Sequence, residues 1–309
     1  MIKRTIYFGN PAYLSLSNAQ MIVRLPEVEK SDDLSPAFKK EATASFPIED
    51  LGIVVLDHKQ ITITQALLEV LMENNTVVMT CNQSHLPTGL LLPLSGNTIQ
   101  NERYRDQLDA SEPLKKQLWA QTTAQKIRHQ AYVLKSEGME YNYLTPLYKN
   151  IKSGDIDNCE ATAAAYYWGH LFPAIPEFRR FREGISPNNY LNYGYALLRA
   201  TMARSIVGAG LLPTLGIHHH NRYNAFCLAD DLMEPYRPYI DLLVLNLLKT
   251  RNPCEELTKA DKAYFLQIPT IDVMIDGERS PLMNATVRTA VSLVKCFSGE
   301  AKKLLYPEL

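Results

Sequence analysis

The feature that most constrains the fold is a change in hydrophobic periodicity near Ser95-Gly96-Asn97. Before this point, short runs rich in β-branched and aromatic residues are separated by turn residues such as Gly9-Asn10-Pro11, a pattern typical of strands. After it, apolar residues recur at spacings of three and four, which predicts helices. Strands first and helices afterwards predict an α+β protein with two segregated domains, not an alternating α/β sheet.

We therefore predict an N-terminal β-strand domain at residues 1–96 and a larger, all-α C-terminal domain at 97–309. The strand-like runs are TIYFG, AYLSL, QMIVRL, GIVVLD, ITIT, TVVMTC and GLLLPL, with one helical piece, ALLEVLMENN. Residues 30–45 are polar and predict a loop. In the second domain, one apolar helical stripe runs through Ala120, Ala124, Ile127, Ala131 and Leu134. Further helices are predicted at 158–172, 188–208, 226–249 and 283–304.

Composition excludes several classes of protein. A net charge of −1 does not by itself indicate a nucleic-acid binder, so any DNA contact must depend on a local patch. No apolar run approaches the ~20 residues that span a bilayer, and the N-terminus lacks a signal-peptide core. Five cysteines without a CxxC pair argue against disulfides and structural zinc, and favour a cytoplasmic protein. P-loop, GxGxxG, HExxH and GxSxG patterns are also absent.

The segment GIHHHNRYNAFCLADDLMEPYRPYID, residues 216–241, places three adjacent histidines ahead of Asp230, Asp231 and Glu234. Imidazole and carboxylate in this proximity suit a divalent metal ion. Adjacent side chains of an extended segment point opposite ways, so only one or two of the histidines can face a common site. An exposed loop beside a capped helix start explains the same residues equally well.

Glu160 is the best candidate for a third metal ligand, because it precedes a small-residue helix in DIDNCEATAAAYYWGHLF. The structural alternative is a capping box in which Asp157 is the N-cap and Glu160 occupies the third helical position. Farther along the chain, Pro235 and Pro238 predict that the helix containing Glu234 ends or kinks there.

A basic segment, PEFRRFREG, interleaves aromatic residues with Arg179, Arg180 and Arg182. Guanidinium groups suit phosphates, and aromatic rings can stack on splayed bases, so the segment is a candidate DNA contact. The alternative is a solvated surface segment with buried phenylalanines.

Five segments, in order, resemble the CRISPR-associated adaptation integrase, or Cas-one, family, and most of all its type II-C branch. They are KRTIYFGNPAYLSL, PIEDLGIVVLDHKQITITQALLEVLMENN, KIRHQ, NYLNYGYALLRA and GIHHHN with NAFCLADDLMEPYRP. The resemblance covers essentially the whole chain. Its last motif is long enough to be specific.

The resemblance implies a metal site and chooses among the histidines. It implies that Glu160, His219 and Glu234 bind Mg²⁺ or Mn²⁺, and that Asp231 is a second acidic residue of the catalytic site. His218, His220 and Asp230 are then bystanders. The sequence departs from the family in Ala161, where glycine is common, and in the two histidines that flank His219.

The resemblance also implies a function, which is CRISPR adaptation in antiviral defence. A metal-dependent DNA integrase and endonuclease of this family joins the 3′-hydroxyls of captured DNA to a CRISPR repeat by transesterification. Arg179, Arg180, Arg182 and Lys126 would then hold DNA phosphates. The implied assembly is a homodimer through the strand domain, joined with a small Cas-two partner in a heterohexamer. The alternatives are a stand-alone nuclease acting on branched or single-stranded DNA, and a non-catalytic DNA-binding scaffold.

Overall fold

A computed structural model describes residues 3–31, 33–83, 85–175, 178–181 and 184–309 of the chain. The chain divides into two compact units, Met1–Gly96 and Asn97–Leu309. The first unit is built around strands and the second is mostly helical, which confirms the predicted α+β class. The roles predicted for the two domains, dimerisation and catalysis, stay predictions.

The first unit contains two four-stranded sheets and three helices among its described residues. Its elements are β1 (Arg4–Phe8), β2 (Ala12–Ser17), β3 (Gln20–Arg24), α1 (Pro26–Lys30), α2 (Pro36–Glu41), β4 (Ala44–Pro47), β5 (Leu51–Leu56), β6 (Ile61–Ile63), α3 (Gln65–Glu73), β7 (Val77–Cys81) and β8 (Pro87–Leu91). The loop predicted at 30–45 was wrong in part, because it contains α2 and the start of β4. Ala44 and Ser45 are exposed, so this edge strand lacks the apolar alternation by which a strand is recognised.

The core of the first unit joins the two sheets. One sheet has the order β1-β5-β7-β8, in which the first three strands are parallel, and the other has the order β4-β3-β2-β6. Leu14 and Met21 of the second sheet share a buried cluster with Leu51 and Val54 of the first. Strand β5 is buried over nearly its whole length, as expected for a central parallel strand.

Among its described residues, the second unit is a helical assembly with one small hairpin, so it is mostly helical where an all-α domain was predicted. Its elements are α4 (Gln100–Asp109), α5 (Glu112–Ser136), α6 (Leu144–Lys149), α7 (Cys159–Leu171), α8 (Asn188–Gly208), α9 (Cys227–Met233), α10 (Arg237–Leu248), α11 (Lys259–Phe265), β9 (Asp272–Ile275), β10 (Glu278–Pro281) and α12 (Leu282–Phe297). Within the described residues, no helix is long and apolar enough to cross a membrane.

Helix α5 is the element from which the candidate site is built. It packs against α6, α7 and α10, and against a short 3₁₀ turn at Glu234–Tyr236 that separates α9 from α10. The single helix predicted at 226–249 is therefore interrupted where Pro235 and Pro238 indicated. Of the predicted stripe on α5, Ile127, Ala131 and Leu134 are buried. These contacts bring residues far apart in sequence to one place.

Candidate active site

Two acidic side chains from distant elements meet at one lysine. Lys126 on α5 places its Nζ atom 2.6 Å from Glu160 Oε1 and 2.6 Å from Glu234 Oε2. Only 12% of the Lys126 side chain is exposed, against 23% for Glu160 and 6% for Glu234. We call Glu160 and Glu234 the carboxylate pair. Their two oxygens converge on a single cationic centre in a largely dehydrated part of the unit.

The start of α7 fixes the position of Glu160. Asp155 accepts hydrogen bonds from the backbone N–H groups of Cys159 and Glu160, each at 2.9 Å. Asp157 instead pairs with Lys152 at 2.8 Å, so the proposed capping box at Asp157 was wrong. Because Asp155 supplies the cap, the Glu160 side chain is directed to Lys126 and does not bond back to its own helix.

The 3₁₀ turn fixes the position of Glu234. Pro235 follows it, and the Pro235 carbonyl accepts a hydrogen bond of 2.6 Å from Nδ1 of the buried His129 on α5. Arg237, one turn later, lies 3.0 Å from Glu234 Oε1. Glu234 is thus flanked by two cations, Arg237 on one oxygen and Lys126 on the other.

Charge pairing explains the protonation of the buried groups. Burial alone would raise the pKa of Glu234, but Arg237 and Lys126 hold that pKa below its ordinary value. Burial alone would lower the pKa of Lys126, but Glu234 and Glu160 raise it above its ordinary value. Glu234 and Lys126 are therefore ionised together at neutral pH.

His219 is held by Asp231 from the neighbouring helix α9. The fully buried Asp231 carboxylate accepts the His218 backbone N–H at 2.9 Å and the His219 backbone N–H at 3.3 Å. It also accepts a hydrogen bond from the His219 ring nitrogen Nδ1. This bond raises the pKa of His219 and leaves Nε2 as the ring atom that carries a lone pair in the neutral form.

Gly216 allows this arrangement by carrying no side chain. A Cβ atom there would lie 2.4 Å from the His219 carbonyl oxygen and 2.7 Å from Asp231 Oδ2. The loop of residues 216–226, which we call the His loop, therefore closes over Asp231 only with glycine at this position.

Two residues expected to be bystanders have structural contacts. The His218 ring stacks on Trp119 of α5 with centroids 4.1 Å apart and planes 2° apart. Asp230 accepts hydrogen bonds of 2.7 Å from Arg199 and from Asn224, which ties the His loop to α8. His220 is exposed. His218 and Asp230 therefore anchor the loop that carries His219, and their interpretation as bystanders of the metal site stays a prediction.

The predicted metal ligands are brought together in part. Within the described residues, no three His, Cys, Asp or Glu side chains converge closely enough to bind one metal ion as they stand. Glu160 and Glu234 share a cationic centre, and His219 does not join them there. The donor chemistry nevertheless fits a divalent cation. Apart from its ion pair with Lys126, Glu234 Oε2 is buried without a partner, and a carboxylate-bonded imidazole is the usual form of a metal-binding histidine.

The predicted basic contacts have different environments. Arg180 is held internally, donating to the Phe181 carbonyl and to Asn188 at 2.9 Å each and to Asn192 at 2.6 Å. Arg179 is exposed. Arg182 lies outside the described residues. The structure thus gives Arg180 a structural role and leaves Arg179 accessible to a ligand.

Sequence reasoning missed the buried Asp241 on α10. Its carboxylate accepts hydrogen bonds from Tyr195 at 2.5 Å and Tyr167 at 2.8 Å, and Arg180 and Arg237 lie over the Tyr195 ring. Burial raises the pKa of Asp241 to about 6. The sequence could have pointed to Asp241, because it lies inside the otherwise apolar run YIDLLVL. A single charged residue in such a helix needs buried partners.

Comparison with known proteins identifies the family. The model of the family described as CRISPR associated protein Cas1 matches residues 8–275. The chain belongs to the Cas1 family. A relative named CRISPR-associated endonuclease Cas1, from Neisseria meningitidis serogroup C (strain 8013), is 33% identical over 100% of this chain and 97% of its own length. That Cas1 is of type II-C, which matches the predicted branch.

Solved structures with the same fold are more distant in sequence. A casposase bound to its integration product has a TM-score of 0.76 and 20% identity, covering 98% of this chain and 92% of that one. A Cas6-RT-Cas1–Cas2 complex has a TM-score of 0.73 and 18% identity, covering 100% of this chain and 36% of that chain. At these identities, the likeness to Cas1 structures supports the fold alone.

Proposed function

We propose that this Cas1-family protein is a metal-dependent DNA integrase and endonuclease that acts in CRISPR adaptation. It would join the 3′-hydroxyls of captured DNA to a CRISPR repeat. The observation that carries the proposal is the convergence of Glu160 and Glu234 on one cationic centre, with Nδ1 of His219 held by buried Asp231. The name of the Neisseria relative, an endonuclease, supports the same class of reaction.

Glu160, Glu234 and His219 Nε2 would hold the metal ion, which the oxygen and imidazole donors predict to be Mg²⁺ or Mn²⁺. When bound, the ion would polarise the scissile phosphate and stabilise developing charge on oxygen. Asp231 orients the His219 ring. Exposed basic groups such as Arg179 would position DNA through its phosphates without reading sequence.

The proposed reaction exchanges one phosphodiester for another. The attacking 3′-oxygen forms a new P–O bond, the P–O bond to the repeat's own 3′-oxygen breaks, and one proton passes from the attacking to the leaving oxygen. No oxidant, nucleotide or covalent protein intermediate is needed. In the nuclease alternative, the same residues act and water is the attacking group. The integrase and nuclease reactions therefore differ in their products, which are joined and cleaved DNA.

A strand-joining assay with matched variants tests the proposal. Glu160→Gln, Glu234→Gln and His219→Ala should each abolish joined product while circular dichroism shows a folded protein. His220→Ala and Asp157→Asn are the controls, since these neighbours lie outside the carboxylate pair and do not contact Asp231 in the described contacts. Joining at the wild-type rate by His219→Ala in Mn²⁺ would exclude the assignment. Cleaved product without joined product would instead support the stand-alone nuclease.

The proposed assembly is a homodimer through the first unit, with two such dimers joined by a small Cas2 partner. Support comes from one structural relative, the Cas6-RT-Cas1–Cas2 complex, and from the open sheet edges of the first unit. Light scattering of the chain alone and with the Cas2 protein from the same locus would measure both associations. A monomer that does not bind that partner would overturn the assembly and leave the site assignment standing.

A further inference from the structure

We infer that Lys126 and the divalent metal ion exchange places at the carboxylate pair, and that DNA phosphate receives the displaced ammonium group. DNA and metal would then strengthen each other's binding. The inference rests on the proposed function, which it deepens by coupling the two ligands of that site. Lys126 becomes the residue that links substrate binding to assembly of the metal centre.

The first argument is the position of the ammonium group. Lys126 Nζ lies 2.6 Å from one oxygen of each member of the carboxylate pair. Metal–oxygen distances of about 2.1 Å would place a bound Mg²⁺ in the same small volume between those oxygens. An ion bound by both carboxylates therefore requires Lys126 to leave.

The second argument is that the pair remains oriented when Lys126 leaves. Arg237 stays beside Glu234 Oε1 at 3.0 Å, and Asp155 keeps the start of α7 capped below Glu160. The Lys126 side chain has a flexible four-carbon stem that can carry its ammonium away from the pair. Movement of the Lys126 side chain, not of a helix, is enough to clear the position between the two carboxylates.

The third argument is the fate of the displaced charge. A buried ammonium that loses its carboxylates needs another anion, because an unpaired buried charge is costly. In a DNA-joining enzyme, the anion that enters next to the metal is the phosphate backbone. Coupling between two ligands is reciprocal. If bound DNA raises the affinity of the protein for the metal by some factor, bound metal must raise its affinity for DNA by the same factor.

Titration of Mn²⁺ into the protein, followed by electron paramagnetic resonance, tests the exchange. For the wild type, a DNA duplex should tighten Mn²⁺ binding at least tenfold. Lys126→Gln should bind Mn²⁺ at least tenfold more tightly than wild type without DNA and should show little further gain with DNA. Lys116→Gln, an exposed position on the same helix, is the matched control and should behave as wild type. Equal or weaker Mn²⁺ binding by folded Lys126→Gln would overturn the inference.

A second measurement uses only the wild type, in case Lys126→Gln does not fold. An amine-reactive reagent read by mass spectrometry should label Lys126 slowly, several-fold faster with saturating Mg²⁺, and slowly again when duplex DNA is added to the metal-loaded protein. Labelling unaffected by Mg²⁺ would overturn the inference. Neither measurement requires strand joining, so a protein that exchanges Lys126 but joins no DNA would refute the proposed function alone.

Discussion

Replacement of Gly216 by alanine tests whether the His loop must close over Asp231. The new Cβ would lie 2.4 Å from the His219 carbonyl oxygen, about 0.6 Å inside the 3.0 Å below which such contacts essentially never occur. It would also lie 2.7 Å from Asp231 Oδ2, the oxygen that accepts the His218 backbone N–H. Neither neighbour is the end of a flexible side chain free to rotate away, so the loop itself must move.

The expected effects are a moderate loss of stability and a large loss of activity. Overpacking of this kind costs about 1–3 kcal/mol. A displacement of His219 approaching 1 Å reduces a reaction that depends on its position by roughly 100-fold. Urea unfolding measures the first effect, and initial rates of strand joining measure the second.

Gly169→Ala is the matched control for Gly216→Ala. Gly169 lies within α7, and a Cβ atom there would meet no heavy atom within 4 Å. Alanine in a helix interior is favoured over glycine by about 0.5–1 kcal/mol, so this variant should be slightly more stable and fully active. Wild-type joining rates in Gly216→Ala would refute the account of how His219 is positioned.

Three further predictions concern buried polar contacts. Because the folded-state pKa of Asp241 is raised to about 6, the folded protein holds this proton more tightly than the unfolded chain. The free energy of unfolding should therefore fall by about 3 kcal/mol between about pH 4 and pH 6 and then level off, and Asp241→Asn should remove that fall in urea titrations. Arg180→Gln should lower the free energy of unfolding by about 2 kcal/mol through lost hydrogen bonds. Its control is Arg179→Gln at an exposed position, which should change that free energy by less than about 0.5 kcal/mol. Equal losses in the two variants would contradict the internal role of Arg180. His129→Leu leaves the Pro235 carbonyl without its donor and should cost about 2 kcal/mol in the same assay, and an unchanged value would exclude this contact as a support of the turn.

Hydrophobic periodicity in the sequence predicted the fold well for elements that bury one face and expose the other. All strands of the first unit except β4, and helices α7 and α8, follow directly from periodicity, and Pro235 indicated the break between α9 and α10. The predicted stripe on α5 was only part of its buried surface. Neighbours pack on several sides of that helix, so polar residues such as Thr122 and His129 are buried while Ala120 is only half-buried.

The acidic and imidazole residues of the candidate site were proposed from the sequence and from the family resemblance, but the contacts that organise them were not predicted. Lys126 lies 34 positions before Glu160 and pairs with it only because α5 and α7 pack together. The stacking of His218 on Trp119 likewise joins residues that no spacing rule connects. Asp155 was missed as the helix cap because the left-handed Asn158 is the N-cap residue, one position later than the capping-box spacing assumes. The carboxylate that accepts the first N–H groups comes from three residues before it.

A joining assay with a labelled DNA fragment and a plasmid that carries the CRISPR repeat tests the proposed metal-dependent integrase site. The fragment is supplied with either a 3′-hydroxyl or a 3′-deoxy end, and each reaction is run with Mn²⁺ or with a chelator. We predict joined product only with the 3′-hydroxyl and Mn²⁺ together, and none with Glu234→Gln. Joining in the presence of chelator, or undiminished joining by Glu234→Gln, would contradict the claim that Glu160, His219 and Glu234 form a metal-dependent integrase site.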